Sequence, residues 1–144
     1  MAISTSKAGR VAIIGASGYG GIQLVNLLNE HPEFEIATLC GERSAGKSWN
    51  ETSPFIKISN DKEIKKTNID EISDASDYAI LSLPNGLSSQ LTPLLVEKGI
   101  KVLDLSADYR FRSLDKWKEV YSKEAAKYPR FDYELCEEAI YGFS

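Results

Sequence analysis

Glycines recur at positions 15, 18 and 21 within Gly15-Ala16-Ser17-Gly18-Tyr19-Gly20-Gly21, between the apolar run Val11-Ala12-Ile13-Ile14 and an apolar-periodic stretch that opens at Ile22. Glycine lets backbone approach a bulky anion closely. A helix that starts there points unsatisfied N–H groups and the positive end of its dipole at the same anion. The guest that suits such a turn is the pyrophosphate of a dinucleotide. The spacing is G-x-x-G-x-x-G rather than the plain G-x-G-x-x-G, so the reading leans on context, a strand before the loop and a helix after it. A loop that is glycine-rich merely to turn tightly is the alternative.

Two other clusters carry polar chemistry. Gly41-Glu42-Arg43-Ser44-Ala45-Gly46-Lys47 follows an apolar run at the point where a doubly wound fold chooses between NAD and NADP. Glu42 suits a ribose hydroxyl, whereas Arg43, Ser44 and Lys47 suit a 2′-phosphate. The phosphate reading is favoured, because arginine with hydroxyl help matches a dianion and a neighbouring carboxylate can turn outward. A solvated charged loop would have the same composition. The second cluster, Ser106-Ala107-Asp108-Tyr109-Arg110, leaves the apolar run Val102-Leu103-Asp104-Leu105. Asp104 needs a partner if buried, and Arg110 offers a rigid fork for a carboxylate or phosphate. The plain alternative is a surface Asp108–Arg110 pair that contributes little.

These groups must be positioned by strands and helices. Ile36–Cys40 and Tyr78–Leu83 read as strands buried on both faces, and Val102–Leu105 as a further strand. Ligands in open α/β sheets bind outside the carboxyl ends of the strands, which makes Ser82, Pro84 and Asn85 candidates by position, against an ordinary strand-to-helix turn. Ile22, Leu24, Val25 and Leu28 form a helical stripe stopped at His31-Pro32. Leu87, Leu91, Leu94 and Leu95 form another, in which Pro93 either starts a second short helix or kinks a longer one before Gly99 closes it. Leu114, Trp117, Val120 and Tyr121 read as a packing stripe. Within Trp49–Ala75 short strands are expected at Phe55–Ile58 and Lys65–Ile69, and a last strand over Ala139–Phe143. The fold expected is α/β, Rossmann-like and doubly wound, a mainly parallel sheet with helices on both faces. Residues 1–9 read as a flexible tail, with 10–144 as an NADP-binding domain.

With 144 residues, one domain is the default. A net charge of −4 without a basic block gives no field for nucleic acid. No apolar run is long enough to span a membrane and no apolar core follows the first residues as in a secretory signal, so a cytoplasmic location is expected. The two cysteines, Cys40 and Cys136, have neither metal-ligand spacing nor a disulfide framework and read as inert. No metal site is expected.

Taken together, the glycine run 15–21, Ser44-Ala45-Gly46-Lys47, Leu83-Pro84-Asn85-Gly86, the run Val102 to Arg110 and Ala139-Ile140-Tyr141-Gly142 resemble the N-terminal, NADP-binding part of the N-acetyl-gamma-glutamyl-phosphate reductases, relatives of aspartate-semialdehyde dehydrogenase. The resemblance spans nearly the whole chain, and Asp104-Leu105-Ser106-Ala107-Asp108-Tyr109-Arg110 is its most specific part. Gly20 stands where that family usually has threonine, Asn85 where it has histidine, and Phe143-Ser144 where it has Leu-Pro. Asn85 keeps hydrogen bonding but no titratable ring.

The resemblance implies NADP(H) as cofactor. Gly15, Ser17, Gly18, Tyr19, Gly20 and Gly21 would line the pyrophosphate, with Pro84 beside the cofactor and Arg43 and Ser44 at the 2′-phosphate. Ser106, Asp108 and Arg110 would meet a small acyl-phosphate substrate. The family's reaction reduces an acyl phosphate to an aldehyde with release of phosphate, through a thioester on a cysteine assisted by a histidine. Those two residues are expected beyond Ser144, so no catalytic residue is assigned to Cys40, Cys136 or His31. The chain is then expected to be a truncated part, with the remainder supplying the nucleophile, the substrate domain and a homo-oligomer interface. An aspartate-semialdehyde dehydrogenase relative is a second reading, and a stand-alone NADP-binding or sensing module a third. Against the third, the apolar end at Ala139–Phe143 would be left uncovered.

Overall fold

A computed structural model describes residues 7–142. Strands β1 (Gly9–Ile14), β2 (Phe34–Cys40), β3 (Ile64–Lys65), β4 (Tyr78–Leu81) and β5 (Lys101–Asp104) form one sheet in the order β3-β2-β1-β4-β5, every pair parallel. Helices α1 (Tyr19–Leu28), α2 (Trp49–Thr52), α3 (Ile69–Ala75) and α4 (Ser88–Glu97) connect the strands. Helices α5 (Leu114–Val120), α6 (Ser122–Lys127) and α7 (Tyr133–Glu138) follow the last one.

The alternation of β1 explains the layering. Val11 and Ile13 face Val25 of α1 together with Ile36, Leu39 and Trp49, whereas Ala12 and Ile14 face Ile72 of α3 and Leu95 of α4. A strand with apolar side chains on both faces must be covered on both, and only a central parallel strand is. Pro93 lies inside a single helix α4, so one of the two expected arrangements is realised. The Thr92 hydroxyl donates to the Ser88 carbonyl at 2.9 Å, reinforcing the helix beside the position where proline cannot donate.

Several expectations fail, each for a local reason. Phe55–Ile58 is not a strand, because this stretch folds back on α2. The buried Trp49 indole donates to the Ile56 carbonyl at 2.7 Å, and the Asn50 amide both donates to and accepts from the Ile58 backbone. Of Lys65–Ile69 only Lys65 is in a strand. Asn68 instead accepts the Glu71 N–H and caps α3. Ala139–Gly142 continues from α7 as irregular chain with no strand partner, and Phe143 and Ser144 lie outside the described residues. At the other end β1 already begins at Gly9. Lys7 and Ala8 are tied to the backbone of Phe34 and Glu33, while 1–6 lie outside the described residues.

The last three helices enclose their own small core of Leu114, Trp117 and Cys136 around a buried cation. The Arg130 side chain is 0% exposed and its partner Asp132 8%. Arg130 forks onto Asp132 at 3.0 and 2.8 Å, donates to the Asp108 carbonyl, and lies over the rings of Trp117 and Tyr109. The Tyr109 hydroxyl donates to the same carboxylate at 2.6 Å. Burial alone would raise the Asp132 pKa, but the hydrogen bonds from Arg130 and Tyr109 outweigh it and hold the carboxyl below its ordinary range. A carboxyl lowered in the folded state stabilises the fold fully above its unfolded pKa and loses that contribution as pH falls through the lowered value. Asp132→Asn, which leaves Arg130 buried without its counter-charge, is therefore expected to destabilise the protein by about 3 kcal/mol at pH 7. Urea unfolding at pH 7 and at progressively lower pH checks this. The gap between parent and variant should narrow as the carboxyl protonates, and a gap that does not change with pH contradicts the ionic account.

Candidate functional site

The loop that leaves β1 is fixed from both sides. Gly15 has φ +85°, in the left-handed region, and a Cβ on it would run into the Ser82 carbonyl at the end of β4. The N–H groups of Gly15 and Ala16 both donate to the Cys40 carbonyl at 2.9 Å, anchoring the loop to the end of β2. A Cβ on Gly21 would strike the carbonyls of Gly15 and Ala16, so the close seating of α1 on the loop requires glycine there. Gly18 differs. Its φ is −78°, and a Cβ would meet nothing nearer than the Gly15 carbonyl at 3.5 Å, an ordinary contact. The fold itself does not require glycine at 18, whereas a bulky anion lying against the loop would.

Gly18 is the N-cap of α1 and no side chain caps this end, so the first-turn N–H groups face outward with Tyr19 95% exposed beside them. Chain connections leave β1 toward β2 on one side and reach β4 on the other. The crevice between them is the reversal point at which doubly wound sheets bind nucleotides. A Cβ on Gly41 would come within 3.1 Å of the Ser17 hydroxyl, so the exit of β2 adjoins the glycine loop. Next comes a single 3-10 turn, Glu42–Ser44, in which the carboxylate of Glu42 accepts the Thr67 N–H at 3.1 Å. Arg43 is exposed and joins no ion pair among the described residues; Lys47 is exposed and Ser44 half-buried.

The loops after β4 and β5 are clasped to each other. The Asp108 carboxylate, 0% exposed, accepts the Gly86 N–H with both oxygens at 2.7 and 2.9 Å and the Ser89 N–H at 2.9 Å. It thereby caps α4 from a distant segment, since Leu87 at the cap position offers no side-chain acceptor. Asn85 adds a second clasp, its Oδ1 accepting the Ala107 N–H at 2.9 Å. Asp108 was expected among substrate contacts, but its carboxylate is turned inward with its acceptors taken. No Asp108–Arg110 pair forms. The exposed Arg110 instead donates to the Tyr121 hydroxyl at 3.1 Å.

Asp104 finds the partner its position demanded, accepting from the N–H and hydroxyl of Ser106 at 2.9 and 2.8 Å. Burial still pushes its carboxyl above the ordinary range, against those hydrogen bonds. Ser106 and Arg110 line a cavity of about 880 Å³ that runs along the outer edge of β5 with Leu105, Tyr109 and Ile140. No glycine of the 15–21 loop lines it. Pro84 is exposed at the head of its turn, its carbonyl accepting from Leu87. Both thiols are buried, and burial pushes Cys40 up to about 11 and Cys136 above its ordinary value, so neither is a thiolate near neutrality.

The structure thus gathers Gly15–Gly21, the Glu42–Ser44 turn and Ser82 around one crevice, sets Ser106 and Arg110 beside a separate cavity, and makes Asp108 the clasp between their loops. Sequence reasoning missed the Arg130–Asp132 pair. Its only signal was two opposite charges in the short stretch Pro129-Arg130-Phe131-Asp132. Asp108→Ala should destabilise the protein by about 3 kcal/mol, because it strands two buried N–H donors, whereas Arg110→Ala should stay within about 0.5 kcal/mol. Denaturant unfolding of both variants measures the contrast, and a mild Asp108 variant contradicts the clasp.

Comparison with known proteins follows the same outline. The family model for the NAD binding domain of semialdehyde dehydrogenases matches residues 10–144. An N-acetyl-gamma-glutamyl-phosphate reductase of Prochlorococcus marinus strain NATL1A is 80% identical over 144 residues, covering 100% of this chain and 40% of that protein. The reductase of strain MIT 9211 is 54% identical over 142 residues, 99% of this chain and 40% of that protein. The chain therefore spans about two fifths of the length of these relatives. Among solved structures, aspartate semialdehyde dehydrogenase with NADP from Candida albicans superposes with a TM-score of 0.62 at 24% identity, over 72% of this chain and 31% of that one. Aspartate semialdehyde dehydrogenase II from Vibrio cholerae gives 0.57 at 28%, over 74% and 30%.

Proposed function

We propose that this chain, which belongs to the semialdehyde dehydrogenase family through its NAD-binding domain, is the cofactor-binding part of an NADPH-dependent N-acetyl-gamma-glutamyl-phosphate reductase of arginine biosynthesis. The observation that carries the reading is the 80% identity over the whole chain to a reductase of that name. It is supported by a glycine loop at the sheet's reversal point in which Gly18 leaves the start of α1 clear of side chain. The bound nicotinamide would supply hydride for reduction of an acyl phosphate to an aldehyde. The chain's own residues bind and orient. First-turn N–H groups of α1, with the Ser17 hydroxyl, hold the pyrophosphate, and the absence of a side chain at Gly18 lets it approach.

NADP is favoured over NAD by the state of Glu42. An acid beyond β2 ordinarily claims the ribose hydroxyl, but this carboxylate is engaged by the Thr67 N–H, leaving the exposed Arg43 and the Ser44 hydroxyl for a 2′-phosphate. Ser106 and Arg110 take the substrate's anionic end, with Asp108 positioning their loop. The nucleophile comes from the part of the reductase that these residues do not span, as does a homo-oligomer interface.

Titration with NADPH and NADH, followed by nicotinamide fluorescence or calorimetry, tests the reading. NADPH should bind the more tightly. Arg43→Ala should weaken NADPH by roughly tenfold to a hundredfold and NADH little. Equal weakening of both removes the 2′-phosphate assignment. Gly18→Val should abolish binding of both nucleotides while the unfolding midpoint of the nucleotide-free protein stays near that of the parent.

A further inference from the structure

Ser82 stands one residue beyond β4, on the wall of the crevice opposite the glycine loop. Its backbone is fixed on both sides. The N–H donates to the Ile14 carbonyl at 2.8 Å, and its own carbonyl fills the space that a Gly15 side chain would need. The side chain is then aimed at the first turn of α1, because a Cβ built on Gly20 would fall on the Ser82 hydroxyl oxygen while lying 3.6 Å from the Ser82 Cβ. Gly20 therefore leaves a space, and the hydroxyl occupies it. Ser82 is half-buried, and its hydroxyl makes no hydrogen bond to any of the described residues. A hydroxyl pointing from one wall of a crevice toward uncapped N–H groups on the other extends that row of donors by one.

We infer that Ser82 is a cofactor-positioning residue: its hydroxyl donates to a phosphate oxygen of the dinucleotide diphosphate lodged between β1 and β4, and Gly20 is glycine to leave that hydroxyl its place. The inference rests on the cofactor reading above. It adds a contact common to NADPH and NADH, unlike that of Arg43, and predicts an equal effect on the two.

NADPH and NADH are titrated into the parent protein, Ser82→Ala, Gly20→Ala and the double variant, and the unfolding midpoint of each is measured without nucleotide. Loss of a hydroxyl donor to a charged phosphate should weaken both nucleotides by roughly tenfold. The nucleotide-free midpoint of Ser82→Ala should match the parent, since the hydroxyl bonds nothing in the protein. Gly20→Ala should weaken binding in the Ser82 background, by displacing the hydroxyl, and add little once Ser82 is alanine. Binding by Ser82→Ala as tight as the parent's overturns the inference and leaves the cofactor reading standing. A loss confined to NADPH, or a fall in the nucleotide-free midpoint, also overturns it, by making Ser82 a specificity or a packing residue. A parent protein that binds neither nucleotide overturns the cofactor reading itself, and Ser82 with it.

Discussion

A single buried carboxylate holds the ligand-facing end of the sheet in shape. Two strands, β4 and β5, deliver their chains side by side into loops that would otherwise be independent, and Asp108 draws the second onto the first by accepting two N–H groups at the start of α4. Asn85 repeats the connection in the opposite direction. The carbonyl of Asp108 in turn receives Arg130, so the helices after β5 are fastened to the same residue through its backbone. Removing a partner from such a buried set costs more than the hydrogen bond is worth, because the donors left behind have no water to turn to. The position of Ser106 and Arg110 relative to α4 follows from this clasp.

The glycines divide their labour. Gly15 and Gly21 are demanded by the protein itself, one by its positive φ and the Ser82 carbonyl, the other by the seating of α1 against the loop. Gly18 is demanded by nothing in the protein, since its φ is −78° and a Cβ there would make only an ordinary contact. Gly20 leaves room for the hydroxyl of Ser82, just beyond β4. A run that reads as one motif in the sequence thus divides in the structure: Gly15 and Gly21 are needed for folding, Gly20 accommodates the Ser82 hydroxyl, and Gly18 is left open.

What was legible in the sequence was what depends on local pattern. The apolar runs of β1, β2 and β4 and the glycine turn between strand and helix were legible, although β4 stops at Leu81 rather than Leu83, because a central parallel strand and a helix-opening loop each have a composition of their own. The stretch from Trp49 to Ala75 was not legible. It is organised by side chains bonding to backbone, such as Asn50 with Ile58 and Trp49 with Ile56, and such contacts have no period. The role of Asp108 was hidden for a similar reason. From neighbouring residues it looks like a partner for Arg110, and only the fold brings Gly86 and Ser89 to it across 22 and 19 positions. The end of the chain misled in the opposite sense, since Ala139-Ile140-Tyr141 has a strand's composition but no strand to pair with among the described residues.

The strand order also has a consequence in time. β1 is made first but sits in the middle, and one of its two neighbours, β4, is contributed by chain some 67 positions later, as the pairing of Arg10 with Asp77 records. The loop-closure entropy of that pairing must be met before either wall of the crevice can face the other. A nascent chain emerging from the ribosome therefore carries its glycine loop as half a site until β4 has been made, with one face of β1 still uncovered. The nucleotide cradle, the earliest recognisable feature of the sequence, waits on the fourth strand before it exists in three dimensions.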